Sequence, residues 1–178
     1  MSMSSLFYLC SEDFRIENKT LVLDKKFKSQ WLLVYFFMET CNYCKTFTPF
    51  FTSLPKNMDG FDSAIVNVNE VKMKRILYQT MDTPTPIKEV PFILLFFNGV
   101  PFERYFGPPE YSSLKTFVEE CQKRIKSASS QRPTQNSSQI QQQQQPMQMT
   151  SAPPPQKQLY HPYRVCYMEF KDAYKVSH

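Results

Sequence analysis

Cys41 and Cys44 stand two residues apart in the segment Cys41-Asn42-Tyr43-Cys44, directly after the apolar run of residues 31–38. Where a buried strand gives way to a helix, that spacing puts the first sulfur at the helix N-terminus and the second one turn deeper. The unsatisfied amides and the dipole of a helix start favour an anion. The Cys41 thiol is therefore expected to face solvent, to titrate below the free cysteine value of about 8.5 and to act as a nucleophile. Cys44, more buried, would be the resolving thiol, attacking a mixed disulfide held at Cys41 and releasing the partner.

The same spacing also builds half of many zinc sites, and an inert pair is a third reading. Zinc would need two further ligands at comparable spacing. The remaining inventory is Cys10, Cys121, Cys166, His161 and His178, all isolated along the chain, so neither a metal nor a cofactor is expected. Cys10 and Cys121 read as small buried hydrophobes. Cys166 lies in a C-terminal tail, either within reach of Cys41 to regulate it or as a docking or bystander residue, and His161 reads as a solvated linker residue.

The elements that must position the pair can be read from periodicity. Trp31-Leu32-Leu33-Val34-Tyr35-Phe36-Phe37 is a continuous β-prone run of strand length, as expected for a central strand covered on both faces. Residues 42–54 follow a helical pattern through Phe47, Phe50 and Phe51, with Pro49 kinking the helix and Pro55 ending it. Residues 6–9 and 14–23 suggest strand or hairpin structure around Glu17-Asn18-Lys19, and residues 63–68 a further strand. Residues 71–81 predict a basic amphipathic helix with Val71, Ile76 and Leu77 apolar. A strand then spans residues 90–97, and Asn98-Gly99 turns the chain back through residues 100–106, because both turn positions tolerate positive φ. Ser112 and Ser113 offer N-caps for a last helix over residues 114–126, with Leu114, Phe117, Val118 and Cys121 facing inward.

This pattern divides the chain into a folded domain over residues 1–127, a disordered Gln/Ser/Pro-rich linker over 128–158, and a short aromatic segment over 159–178 that would dock on a partner surface. The net charge of +5 over 178 residues is spread with mixed signs in the domain, so no nucleic-acid partner is expected. The longest apolar run is far short of the roughly 20 residues of a membrane-spanning helix, so no membrane contact is expected either. The N-terminus lacks the pattern of a secretory signal, which predicts a cytoplasmic setting in which a structural disulfide framework is not expected. A monomer is expected.

The chain resembles the thioredoxin superfamily over residues 31–126. The resemblance rests on the apolar strand before Cys41, Lys45 after Cys44, Pro49 five residues past the second cysteine, Val90-Pro91 as a cis-proline element, and Phe96-Phe97-Asn98-Gly99 as the last hairpin. It implies a three-layer α/β fold with a mixed central sheet, and a cis bond before Pro91 beside the sulfurs. It also implies a substrate surface of Val90, Pro91, Asn42 and Tyr43, with Val90 pairing to an extended client segment. Protein clients with thiols or disulfides, and an upstream thiol oxidase or reductase, would be the partners.

Three departures are informative. Tyr35 stands where thioredoxins place a buried aspartate, Thr40 replaces the tryptophan before the motif, and Asn-Tyr replaces Gly-Pro between the cysteines. Together with valine before the proline, they tilt the expectation from reduction toward oxidation or isomerisation. The layout, including Val165-Cys166-Tyr167-Met168-Glu169-Phe170, is also similar to thioredoxin-like proteins of large double-stranded-DNA viruses. That similarity implies a role in maintaining virion disulfides in the host cytoplasm and packaging in the particle. The alternative is a non-catalytic interaction or virion protein that keeps the fold and binds a partner through the aromatic tail.

Overall fold

The computed structural model describes residues 5–24, 27, 29–130, 166–168 and 170. The linker assigned to residues 128–158 lies outside the described residues from 131 onward, as do His161, His178 and most of the aromatic segment.

At the centre is strand β4 (Trp31–Phe37), preceded in the chain by β1 (Leu6–Leu9), β2 (Phe14–Glu17) and β3 (Thr20–Leu23). Next come helix α1 (Asn42–Thr52), the short α2 (Leu54–Asn57), β5 (Asp62–Asn67) and α3 (Val71–Gln79). The pair β6 (Glu89–Val90) and β7 (Phe92–Phe97) flanks Pro91, β8 (Val100–Tyr105) returns, and α4 (Tyr111–Ser130) closes the domain. A last strand, β9 (Cys166–Tyr167), comes from the tail.

The main sheet has the order β1-β5-β4-β7-β8. β4 runs parallel to β5 and antiparallel to β7, so the sheet is mixed. Side chains alternate across a strand, and β4 splits accordingly. Leu32, Val34 and Phe36 face one buried cluster with Met73 and Leu77 of α3 and with Phe14, Leu21 and Leu23 of the β2–β3 hairpin. Trp31, Leu33 and Tyr35 face the other, with Phe47 and Phe51 of α1, Leu54 of α2, and Leu114, Val118 and Cys121 of α4. Full burial of side chains such as Phe36 and Phe51 contributes about 1.5–3 kcal/mol each, which is what fixes β4 beneath the dithiol.

Both hairpins turn through two residues of positive φ. Asn18 and Lys19 have φ of 47° and 58°, and Asn98 and Gly99 have 50° and 79°. The two turn regions are tied together, since the Leu23 amide donates to the Gly99 oxygen at 2.9 Å. A side chain at Gly99 would approach the Leu23 backbone oxygen at 3.2 Å.

Several local expectations need correction. Pro55 does not end the helical region; it sits in the first turn of α2, where a missing amide costs nothing. Val71 is 54% exposed, and Met73 with Leu77 forms the inner face of α3 instead. α4 begins at Tyr111, ahead of the two serines, because the Leu114 amide already bonds back to the Glu110 oxygen at 3.1 Å. It also runs past Lys126, where no glycine or proline interrupts it. Cys10 is exposed rather than buried, with its backbone amide bonded to the Asp13 carboxylate at 2.9 Å ahead of a single 3₁₀ turn.

Candidate functional site

β4 ends at Phe37, and the chain turns through a short bend into α1. The Cys41 amide donates to the Met38 oxygen at 3.1 Å, and Cys41 then serves as the N-cap of α1. Its sulfur accepts the Cys44 amide at 3.4 Å, taking the place a serine or aspartate oxygen fills at most helix starts. The two cysteines are therefore one helical turn apart, in the order that the spacing requires, and both are free thiols.

From the other side comes the β6–β7 segment. The Val90–Pro91 bond is cis, and the Cys41 thiol donates to the Val90 oxygen at 3.7 Å. The structure thus brings Cys41, Cys44, Val90 and Pro91 together. Asn42 and Tyr43 lie on the first turn of α1, both exposed.

Behind Cys44, the buried Tyr35 hydroxyl donates to the Cys44 backbone oxygen at 3.1 Å and shares a bond with Thr48 Oγ1 at 3.2 Å. Burial pushes the Tyr35 phenol far above its ordinary value. The residue in the aspartate's place is therefore a fixed hydrogen-bond donor and not a proton acceptor.

The expected exposure and acidity of the pair are overturned. Cys41 and Cys44 are each only 1% exposed. Burial pushes both thiols above the ordinary cysteine value, outweighing the Cys44 amide at Cys41 and the Met38 backbone and Tyr35 hydroxyl at Cys44. The helix start is present, but loss of water dominates.

Part of that cover is the tail. β9 pairs antiparallel with β6, with Cys166 opposite Val90 and Tyr167 opposite Glu89. The Met168 amide donates to the Lys88 oxygen at 2.9 Å, and the Met168 side chain is buried in the same cluster as Cys41, Cys44 and Val90. The sequence left Cys166 either within reach of Cys41 or as a docking or bystander residue, and gave no role to Met168. It also missed the Glu89–Arg104 pair beneath β6, where the guanidinium meets the carboxylate at 2.7 Å and lies 3.9 Å over the Phe92 ring. Two charged residues fifteen positions apart carry no local signal of pairing.

Among the described residues, no group of three or more His, Cys, Asp or Glu is placed to hold a metal ion. Also among them, no helix is long and apolar enough to cross a membrane.

Two viral proteins are similar to this chain. Uncharacterized protein 196R of Invertebrate iridescent virus 6 is 28% identical over 126 residues, covering 66% of this chain and 71% of that protein. Uncharacterized protein 020R of Invertebrate iridescent virus 3 is 29% identical over 119 residues, covering 64% and 70%. Among solved structures, Chlamydomonas reinhardtii thioredoxin f2 matches with 19% identity and a TM-score of 0.48, over 66% of this chain and 96% of that one. Human ERp44 matches with 18% identity and a TM-score of 0.45, over 64% of this chain but only 31% of its own length. The thioredoxin family model matches residues 16–120, from the first hairpin well into α4. That span is more than half of the 178 residues, and the chain belongs to the thioredoxin family.

Proposed function

We propose that this chain is a thiol-disulfide oxidoreductase acting on protein clients, with Cys41 as nucleophile and Cys44 as resolving thiol. Val90 and Pro91 clamp an extended client strand, and Asn42 and Tyr43 border it. The observation that carries the reading is the place of one sulfur: Cys41 Sγ is 3.7 Å from the Val90 oxygen and 3.4 Å from the Cys44 amide. It therefore touches both the edge that pairs with an extended segment and the residue that must resolve the intermediate.

The Cys41 thiolate attacks a client disulfide, one client sulfur leaves and takes up a proton, and Cys41 stays joined to the other. Cys44 then gives up its proton and attacks the Cys41 sulfur. The second client thiol departs, and a Cys41–Cys44 disulfide remains. Run backward, the same steps oxidise a dithiol client. A strong oxidant needs its reduced form stabilised as thiolate, and burial works against that here. Isomerisation fits that direction better than strong oxidation.

The setting proposed with it is the infected cytoplasm, with virion proteins as clients. Cell fractionation and analysis of purified particles would check that setting. The rival reading of a tail free to bind another protein is less favoured, because β9 is engaged with β6 of its own chain.

Cys44→Ser should accumulate mixed disulfides between Cys41 and clients, visible as species lost on reduction. A Cys44→Ser chain that traps nothing under mild oxidation overturns the proposal.

A further inference from the structure

β9 lies where the proposed function puts a client. It is extended, antiparallel to β6, and paired directly with Val90, the residue whose oxygen receives the Cys41 thiol. The residue it sets opposite Val90 is a cysteine. The following side chains alternate as a strand requires. Tyr167 is 69% exposed, whereas Met168 is buried against the dithiol cluster. Farther on, Phe170 meets Tyr78 of α3 edge to face at 5.7 Å. Three successive anchors, by backbone pairing, by apolar burial and by an aromatic contact, hold the segment in one register.

We infer that β9, with Met168 and Phe170 as its anchors, is a built-in client strand, which lies beside Pro91 and presents Cys166 to Cys41 for disulfide exchange. This inference rests on the oxidoreductase reading and names what occupies its site.

The chemistry balances within the chain once a client disulfide has oxidised the pair. The Cys166 thiol gives up its proton and its sulfur attacks Cys41. The Cys41–Cys44 bond breaks, and Cys44 leaves as a thiolate that takes up the proton. One disulfide replaces another, so no further oxidant is consumed, and attack by Cys44 reverses the step. In the reduced chain the two thiols act on each other: burial, and after it the Cys41 thiol, push Cys166 up to about 11 against the backbone of Tyr43 and Asn42, so the exchange quickens as pH rises. Because the strand belongs to the chain, its competition with an outside client does not weaken on dilution. An outside client must displace Met168 from its pocket. The register therefore also describes the preferred client: an extended segment with a cysteine followed two residues later by an apolar side chain.

The test uses the full chain carrying Cys44→Ser, treated with 2-hydroxyethyl disulfide, digested and mapped by mass spectrometry. A Cys41–Cys166 cross-link should dominate over the hydroxyethyl adduct on Cys41. Adding Met168→Lys, which removes the apolar anchor and leaves every remaining cysteine in place, should lower the cross-link about tenfold and raise the adduct to match. A Cys41 adduct without the cross-link, or a cross-link from Cys166 to Cys10 or Cys121 in its place, overturns the built-in client and leaves the oxidoreductase reading standing. If Cys41 takes neither partner, even with Met168→Lys present, the oxidoreductase reading fails, and the inference with it.

Discussion

The Tyr35 hydroxyl is 3.1 Å from the backbone oxygen of Cys44, so the central strand holds the helix that carries the dithiol by a hydrogen bond as well as by packing. The ring is fully buried, with its centroid 4.9 Å from that of Phe51. Tyr35→Phe keeps the ring and deletes the donor. Thr48 Oγ1 still serves the Cys44 oxygen at 2.8 Å, so the expected cost is that of one neutral hydrogen bond, about 1 kcal/mol. The hydroxyl also lowers the Cys44 thiol against the effect of burial. The variant should therefore need a higher pH for Cys44 to be alkylated in a Cys41→Ser background. Urea midpoints and an alkylation series against pH read the two effects separately.

The core strand and the Asn98-Gly99 hairpin were legible because their signals are local. Trp31–Phe37 is apolar at every position, and Asn98-Gly99 supplies two residues that accept positive φ. The N-terminal half of the site was legible for the same reason, since strand, dithiol and helix follow one another directly. What could not be read was long-range. Burial of Cys41 and the direction of its titration depend on the contacts around it, including a tail strand more than a hundred residues away. Pairing of Cys166 with Val90 depends on an edge left open by a two-residue strand, and no periodicity in the sequence announces that. Val71 looked inward because it is apolar, yet the helix places it on the outer face.

Stability of the reduced protein should fall at alkaline pH. Burial raises the thiols of Cys41, Cys44 and Cys121, and that of Cys166 to about 11. A thiol raised in this way keeps its proton longer in the folded chain than in the unfolded one. Its stabilising contribution is complete below the unfolded value of about 8.5 and is lost as pH climbs through the folded value. Urea midpoints should be level up to about pH 8 and decline from there toward pH 11. Oxidation of the Cys41–Cys44 pair should remove their share of the slope, and Cys121→Ala a further share. A reduced chain with level midpoints across that range would contradict the burial of these groups.

Trp31 offers a reporter for folding that is silent to redox state. It begins β4, packed on Phe97 at 4.6 Å and edge to face on Phe102 at 5.3 Å. Cys41 lies beyond the other end of that strand, and at about 3.3 Å per residue the two are on the order of 20 Å apart. Thr40 stands in the position next to the motif where an aromatic would have sensed the sulfurs. Emission should stay constant when dithiothreitol is added to the oxidised chain and should shift to the red on unfolding. A redox-dependent change of more than a few percent would show that oxidation rearranges the far end of the sheet.

The Glu89–Arg104 pair supports the strand on which the tail docks, and its removal should be costly in a way that a double substitution reveals. Both side chains are largely buried, and the guanidinium sits between the rings of Phe92 and Phe106 at 3.9 and 4.5 Å. Its Nε has no hydrogen-bond partner among the described residues, so the carboxylate at 2.7 Å is the acceptor that offsets the loss of water around the charge. Glu89→Leu strands a buried cation and should destabilise the fold by about 3–5 kcal/mol. Glu89→Leu with Arg104→Met removes both charges and fills the space with apolar atoms, and should recover most of that loss. Denaturant midpoints for the two single variants and the double variant give the coupling directly. Additive losses would mean that the two charges do not act as a pair, whereas recovery in the double variant shows that the cost of the single change is the stranded charge.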